Sequence, residues 1–232
     1  MVMERYKAKH IIVGHTIFKD ISTFYDGKVI GVNVDNKENK KKKRGRALLI
    51  DKDTYLMDVV KLRQLLVENP KGTFKGIIPV DFAGYPQNLE ELKEIADEYG
   101  LWILEDACHA PGGYFVDRSG ERQYCGNGRF ANAGVFSFHP VKHIATGEGG
   151  MVTTNDEELY KKLCLYRTHG ITKDPTSLHE NHGGWYYEMQ QLGFNYRMTD
   201  FQAALGISQL SRADAGLARD RKSQIVMMRH FK

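Results

Sequence analysis

The sequence predicts an α/β protein whose core is a mostly parallel β-sheet with flanking helices. Short apolar runs predict buried strands, and stretches with apolar residues three or four positions apart predict helices. From about residue 57 onward the two kinds of segment alternate along the chain, as they do in α/β proteins. Polar residues follow several of the apolar runs directly. That is where ligands bind in sheets of this kind.

From residue 57, the first predicted elements are a helix and then a strand–helix–strand unit. Residues 57–66 have helical apolar spacing, and residues 76–81 form an apolar run that ends in Asp81. Residues 89–99 predict a second helix, ended by a glycine at position 100. Residues 102–106 then predict a strand that ends in Glu-Asp. A helix between two strands at this spacing is typical of a βαβ unit, so the two strands are predicted to be parallel.

Two later apolar runs extend the predicted sheet. Gly134-Val135-Phe136 runs into Ser137-Phe138-His139-Pro140-Val141-Lys142, and the glycine-rich stretch 147–150 leads into the run 151–154. The glycines there allow close backbone approach. A last helix is predicted to begin near Thr199, whose hydroxyl can cap it.

The first 55 residues have a different pattern. Strands are predicted within residues 10–16, 26–34 and 47–51. This short β-rich segment resembles the C-terminal end of calcineurin-like metallophosphoesterases, in which a Gly-His motif supplies a metal ligand; here the histidine is His15. The other metal motifs of that family are not found, and one histidine cannot hold a catalytic metal pair. We therefore expect no metal site, and two domains, 1–55 and 56–232, joined as a chimera.

Composition excludes several classes of function. Residues 35–46 carry seven of the 33 Lys and Arg residues, and the rest of the chain has 26 basic and 27 acidic residues. Because no aromatic residues interleave the lysines, we interpret this run as a solvated loop, and expect no nucleic-acid or membrane partner. No apolar stretch approaches the ~18 residues of a membrane span, and no secretory signal is evident. Three widely spaced cysteines indicate neither disulfides nor a metal site, so a cytoplasmic location is expected.

Asp106 and Lys142 suit a site for pyridoxal phosphate (PLP). Such a site needs a lysine to form a Schiff base with the cofactor aldehyde, and an acid to pair with the pyridine nitrogen. It also needs hydroxyl or backbone N–H groups for the phosphate. Asp106 ends one predicted strand, and Lys142 lies just past the end of another.

Three motifs in this order carry a resemblance to the DegT/DnrJ/EryC1/StrS family of sugar aminotransferases, which have the type I PLP-dependent transferase fold. They are EDA-x-H-A from Glu105, SFHP-x-K from Ser137 followed by GEGG, and G-x-NYRMTD-x-QAALG from Gly193. The resemblance covers about residues 57–232. Within the family, residues 185–197 (WYYE-x-Q-x-LG-x-NYR) resemble the members that act on a UDP-linked 4-keto sugar in pseudaminic acid synthesis.

The resemblance implies roles for five residues. Lys142 would form the Schiff base and shuttle a proton, and Asp106 would pair with the ring nitrogen. His109 would pack against the cofactor ring, and Ser137 would bind its phosphate. Asn195 would reach the phosphate of the other subunit's cofactor, which implies a homodimer with composite sites.

The implied activity is transfer of an amino group from glutamate to a nucleotide-linked keto-deoxysugar. The alternatives are a non-catalytic relative, a dehydratase with histidine in place of the lysine, and a phosphoesterase fragment with an accidental tail; Lys142 argues against the first two. Glu105, on the face opposite Asp106, is expected to be structural. Family members are longer at both ends, and their Ser-Gly-Thr-Ala-Leu phosphate turn is not found here. We therefore expect an incomplete large domain that is poorly soluble or binds the cofactor weakly.

Overall fold

The computed structural model describes residues 56–219 and, before them, the backbone of three short strands. The described residues fall into two compact units. One contains those up to Gly76 together with Ile95–Leu101, and the other contains Ile77–Glu94 and those from Trp102 onward. The predictions for His15, the lysine-rich run and the strand at 47–51 concern residues outside the described part of the chain.

The first unit begins with a small sheet. Its strands are β1 (Ile11–Val13), β2 (Thr23–Phe24) and β3 (Val29–Gly31). β3 lies between the other two, parallel to β1 and antiparallel to β2. β1 and β3 confirm the strands predicted within residues 10–16 and 26–34. Helix α1 (Val59–Val67) confirms the first predicted helix and is capped by the Asp58 carboxylate, which accepts the Lys61 N–H at 3.0 Å.

The main sheet has the strand order β4–β5–β8–β9. Its strands are β4 (Gly76–Ile77), β5 (Trp102–Asp106), β8 (Ala133–Ser137) and β9 (Gly150–Thr153). β5 and β8 are parallel, with Asp106 opposite Val135. β9 runs antiparallel to β8 and pairs Gly150 with Ser137. The sheet is therefore mixed, and the predicted parallel pairing is confirmed at β5 and β8.

The strand predicted over residues 76–81 is shorter than expected. β4 ends at Ile77, and only Val80 pairs again, as a single parallel bridge to Asp106. Pro79 lies between them and has no N–H to donate, which interrupts a ladder of hydrogen bonds. A 3₁₀ turn (Phe82–Gly84) follows.

The remaining elements follow one another along the chain. Helix α2 (Leu89–Tyr99) has the predicted bounds, and Gly100 ends it with a φ of 67°, which favours glycine. The other elements are β6 (Tyr114–Val116) paired with β7 (Arg122–Tyr124), α3 (Glu157–Arg167), β10 (Ile171–Thr172) paired with β11 (Glu188–Met189), and α4 (Asp200–Leu210). Thr199 caps α4, as predicted.

The core of the second unit includes residues of β5 and of the segments that follow it. Ile103 of that strand is 1% exposed, and Ala107, Ala110 and Cys125 form a buried cluster against which Phe136 packs. Burying apolar surface in this way contributes roughly 25 cal/mol per Å² of area removed from water. Among the described residues, no helix has the length and apolar character to cross a bilayer.

Candidate active site

Asp106 is held at the carboxyl end of β5 by backbone hydrogen bonds. Its N–H donates to the Pro79 carbonyl at 2.8 Å, and its own carbonyl accepts the Asp81 N–H at 3.0 Å. Its carboxylate Oδ1 accepts the Cys108 N–H at 3.1 Å. These three bonds orient a half-buried carboxylate at the edge of the sheet where ligands of parallel sheets bind.

Lys142 approaches the same edge from the neighbouring strand. It lies in the turn after β8, where its N–H donates to the His139 carbonyl at 2.9 Å, and it is half-buried. Burial and the Asp106 carboxylate raise the pKa of the Cys108 thiol to about 12, while the charge of Lys142 lowers it. β5 and β8 are adjacent and parallel, so the end of β5 at Asp106 and the turn after β8 that carries Lys142 lie at the same edge of the sheet.

Ser137 is the last residue of β8, and His109 follows the end of β5 by three residues. The Ser137 hydroxyl oxygen accepts the His139 N–H at 3.3 Å, which leaves its own proton to donate to another acceptor. His109 accepts the Ala83 N–H on Nδ1 at 3.3 Å, so the neutral ring carries its proton on Nε2. Its ring lies 5.9 Å from that of Phe82, tilted by 58°.

The glycine-rich stretch beside Lys142 is held by two side chains that the sequence analysis missed. The Glu148 carbonyl accepts hydrogen bonds from Thr146 Oγ1 and from Gln202 Nε2, both at 2.8 Å. Gln202 also accepts the Thr199 N–H at 3.0 Å as part of a capping box. The Thr-x-x-Gln pattern from Thr199 signals the capping box, but nothing local signals the contact with Glu148, 54 residues away.

Asn195 lies in the segment that precedes α4. It is exposed and pairs with Thr168 as an isolated antiparallel bridge, and the adjacent Phe194 and Tyr196 rings stack at 5.0 Å. In the described part of the chain, no hydrogen bond joins Asn195 to Asp106, Ser137 or Lys142. Its predicted role across a subunit interface remains a prediction.

Two acids behind Asp106 form a second group. Asp81, which the sequence places at a strand end facing the ligand edge, is 0% exposed, and Glu105 is 1% exposed. With Cys125 they offer oxygen and sulfur atoms that all lie within 4.8 Å of one another. The alternation of side chains along β5 predicts that Glu105 faces away from Asp106, but no local pattern predicts that Asp81 and Cys125 meet it.

Comparison with known proteins places this arrangement in a family. The profile of the DegT/DnrJ/EryC1/StrS aminotransferase family matches residues 47–232, so the match begins before the boundary predicted near residue 55. The chain is 40% identical over 176 residues to an uncharacterized protein of Methanocaldococcus jannaschii, covering 76% of this chain and 42% of that one. It is 37% identical over 163 residues to the UDP-4-amino-4,6-dideoxy-N-acetyl-beta-L-altrosamine transaminase of Campylobacter jejuni, covering 70% and 39%.

A solved structure agrees with these relatives. A Streptococcus pneumoniae protein assigned as a sugar aminotransferase, solved in its PMP form, superposes with a TM-score of 0.61 at 28% identity, covering 77% of this chain and 47% of that one. The chain spans less than half the length of the curated relatives it matches. The alternative of a phosphoesterase tail joined to an aminotransferase fragment gains no support from these comparisons. The chain belongs to the DegT/DnrJ/EryC1/StrS aminotransferase family.

Proposed function

We propose that this protein is a PLP-dependent transaminase that moves an amino group from glutamate to a UDP-linked 4-keto sugar. The observation that carries the proposal is the position of Asp106 at the end of β5 and of Lys142 just past the end of β8, two adjacent parallel strands. The family supports the aminotransferase class. The Campylobacter jejuni relative and the stretch from Trp185 to Arg197 support the sugar.

The residues at this edge fit PLP by their chemistry. A carboxylate suits a protonated pyridine nitrogen, an amine suits an aldehyde, and the Ser137 hydroxyl has a proton to donate to a phosphate oxygen. The PMP form of the Streptococcus pneumoniae structure supports the same cofactor. When bound, PLP supplies an aldehyde that condenses with amines and a ring that withdraws electrons from the reacting carbon.

Asp106 has an electrostatic task in this scheme. Its carboxylate is held by the Cys108 N–H, and a fixed negative charge beside the pyridine nitrogen favours the protonated ring. The three hydrogen bonds around Asp106 hold this residue in place, so its carboxylate would not need to reorganise during the reaction.

Lys142 has two tasks. Its amine would hold the cofactor through the aldehyde, and in its free form the same amine could accept or donate a proton at the reacting carbon. The turn held by the His139 carbonyl keeps the lysine at the end of β8. His109, held through Nδ1 by the Ala83 N–H, can pack against one face of the cofactor ring.

The experiment that tests this function uses the purified protein with PLP, L-glutamate and a UDP-linked 4-keto-6-deoxy-N-acetylhexosamine. We expect visible absorbance from bound cofactor, formation of 2-oxoglutarate and a UDP-amino sugar detected by mass spectrometry. GDP- and TDP-linked keto sugars serve as matched acceptors. Turnover of either in preference to the UDP sugar would overturn the substrate assignment, and no amino transfer to any acceptor would overturn the proposed function.

A further inference from the structure

Each of the two buried acids behind Asp106 has one oxygen that accepts a hydrogen bond and one that does not. Asp81 Oδ1 accepts the Gln87 N–H and Glu105 Oε2 accepts the Gly126 N–H, both at 2.9 Å. The second oxygen of each acid, Asp81 Oδ2 and Glu105 Oε1, has no hydrogen-bond donor among the described residues. An unpaired carboxylate oxygen away from water is costly, so both oxygens require a partner.

One proton satisfies both oxygens at once. A carboxylate oxygen of each acid lies within 4.8 Å of one of the other, and two like charges at that separation in a buried site do not both ionise. A proton on one carboxyl makes it a donor to the other. Burial, followed by the charge of Asp81, raises the pKa of Glu105 to about 8, and burial also raises the pKa of Asp81.

Among the described residues, the other ionisable groups with the largest effects on this pair are the Cys125 thiol and, on Asp81, the Asp106 carboxylate. Burial raises the pKa of Cys125, so it remains a neutral thiol that can donate a weak hydrogen bond. Gly126 has a φ of 74°, and an added Cβ there would collide with the Phe136 ring, so the N–H that binds Glu105 depends on glycine.

We propose that Asp81 and Glu105 share a single proton and act as a positioning pair for the strand end that carries Asp106. Glu105 directly precedes Asp106 in β5, and the Asp81 N–H donates to the Asp106 carbonyl. Loss of the shared proton would place two repelling charges beneath this strand end and a third, Asp106, beside them. The consequence for the cofactor rests on the proposed function, whereas the shared proton does not.

The first test is the pH dependence of the unfolding equilibrium in the full chain without cofactor. Folding raises the pKa of Glu105 from 4.5 to about 8, so between those values the folded protein holds a proton that the unfolded chain releases. The stabilisation is therefore full below about pH 4.5 and is lost as pH rises to about 8. For one proton, the unfolding constant increases about tenfold per pH unit in this window.

The matched variants are Glu105→Gln, Asp81→Asn and, as the exposed control, Glu121→Gln. A glutamine at 105 keeps the shape, donates to Asp81 without titrating, and should remove this tenfold-per-unit dependence. Asp81→Asn removes the charge of Asp81 but leaves the buried Glu105 carboxyl, so it should narrow the pH window without abolishing the dependence, and the control should retain the full window. Identical pH profiles for the parent and Glu105→Gln would overturn the proposal.

Two further measurements apply even where a variant does not fold. Infrared spectroscopy of the parent at pH 6.5 should show the C=O stretch of a buried protonated carboxylic acid, and its absence would overturn the proposal. Elemental analysis should find no stoichiometric divalent metal, because a cation held by Asp81, Glu105 and Cys125 would displace the proton; a bound metal would also overturn it.

Titration with PLP tests the positioning role of the Asp81–Glu105 pair separately from the proposed function. In the parent, the affinity for PLP should fall as pH rises through about 8, and Glu105→Gln should keep its affinity there. If PLP binds with the same pH profile in both proteins, the positioning role fails while the proposed function stands. If PLP does not bind either protein but the stability difference is present, the shared proton stands while the proposed function fails.

Discussion

At the residue scale, Lys142 is the position on which the proposed chemistry depends most. Arginine at 142 would keep the positive charge near Cys108 but stays protonated at all accessible pH values, so it can neither bind an aldehyde nor move a proton. We expect Lys142→Arg to reduce amino transfer by roughly 10²–10⁴-fold or more and to abolish the visible absorbance of bound cofactor. Lys71→Arg, at an exposed site, is the control. Full activity in Lys142→Arg would refute the assigned role.

Substitution of Asp106 should change the absorbance of bound cofactor and the turnover rate differently from substitution of Lys142. Asparagine retains the shape and can still accept the Cys108 N–H, but it has no charge with which to keep a pyridine ring protonated. We expect Asp106→Asn to bind PLP and to lose about 10³-fold in turnover, the scale seen when a fixed electrostatic contact is removed. Asp214→Asn, exposed on the surface, should behave as the parent. A loss below tenfold in Asp106→Asn would mean that another group sets the ring's protonation.

At the element scale, the N-terminus of α4 links helix stability to the glycine-rich stretch beside Lys142. Thr199→Ala removes the cap and should lower the free energy of unfolding by about 1 kcal/mol, with little effect on PLP affinity. Gln202→Glu is the matched variant, because its carboxylate can still accept the Thr199 N–H but cannot donate to the Glu148 carbonyl. Gln202→Glu should weaken PLP binding more than Thr199→Ala does, and should lower the free energy of unfolding less. Chemical denaturation and PLP titration distinguish the two, and equal effects of both variants on both quantities would disprove the link.

The segment between β10 and β11 depends on one carboxylate. Glu188 accepts the N–H groups of His179 and Glu180 at 2.8 and 3.0 Å, and the Tyr186 hydroxyl donates to it at 3.0 Å. These backbone bonds, followed by the His179 ring, lower the pKa of Glu188 to about 2 from 4.5. The stabilisation is therefore complete above about pH 4.5 and is lost as pH falls toward 2.

Glu188→Gln should loosen this segment at neutral pH, because an amide oxygen accepts fewer of these hydrogen bonds than a carboxylate. We expect amide hydrogens of residues 177–190 to exchange several-fold faster, measured by mass spectrometry. Glu180→Gln, which alters the contact with the His182 ring, is the control. Unchanged exchange in Glu188→Gln would show that the turn is held by other contacts.

At the scale of the whole molecule, the predicted composite site can be tested by subunit mixing. If Asn195 serves the site of another subunit, a C₂ dimer containing one Lys142→Ala and one Asn195→Ala chain has one intact site and one doubly altered site. Random mixing of the two inactive proteins should then recover about a quarter of the parent activity, since half the dimers are mixed and each has one working site. No recovery on mixing would mean that Lys142 and Asn195 act within one chain.

Much of the fold was predictable because its signals are local. The bounds of α2, the strand that ends in Asp106 and the cap at Thr199 follow from apolar spacing, a terminal glycine and a capping hydroxyl within a few residues. The β6–β7 hairpin and α3 were missed. The strand at residues 76–81 was predicted too long, because the apolar pattern continues through Pro79 although the hydrogen-bond ladder does not.

The sequence by itself determined the family and the identity of the predicted catalytic residues. Motifs with Asp106, Ser137 and Lys142 have a recognisable order along the chain, and the family match covers them all. Only the tertiary structure decided which side chains support them. The Asp81–Glu105 pair and the Gln202–Glu148 contact join segments that are far apart in the chain. Such contacts depend on how strands and helices pack. No local residue pattern signals that the two acids are buried, each with one oxygen that accepts no hydrogen bond from the described residues.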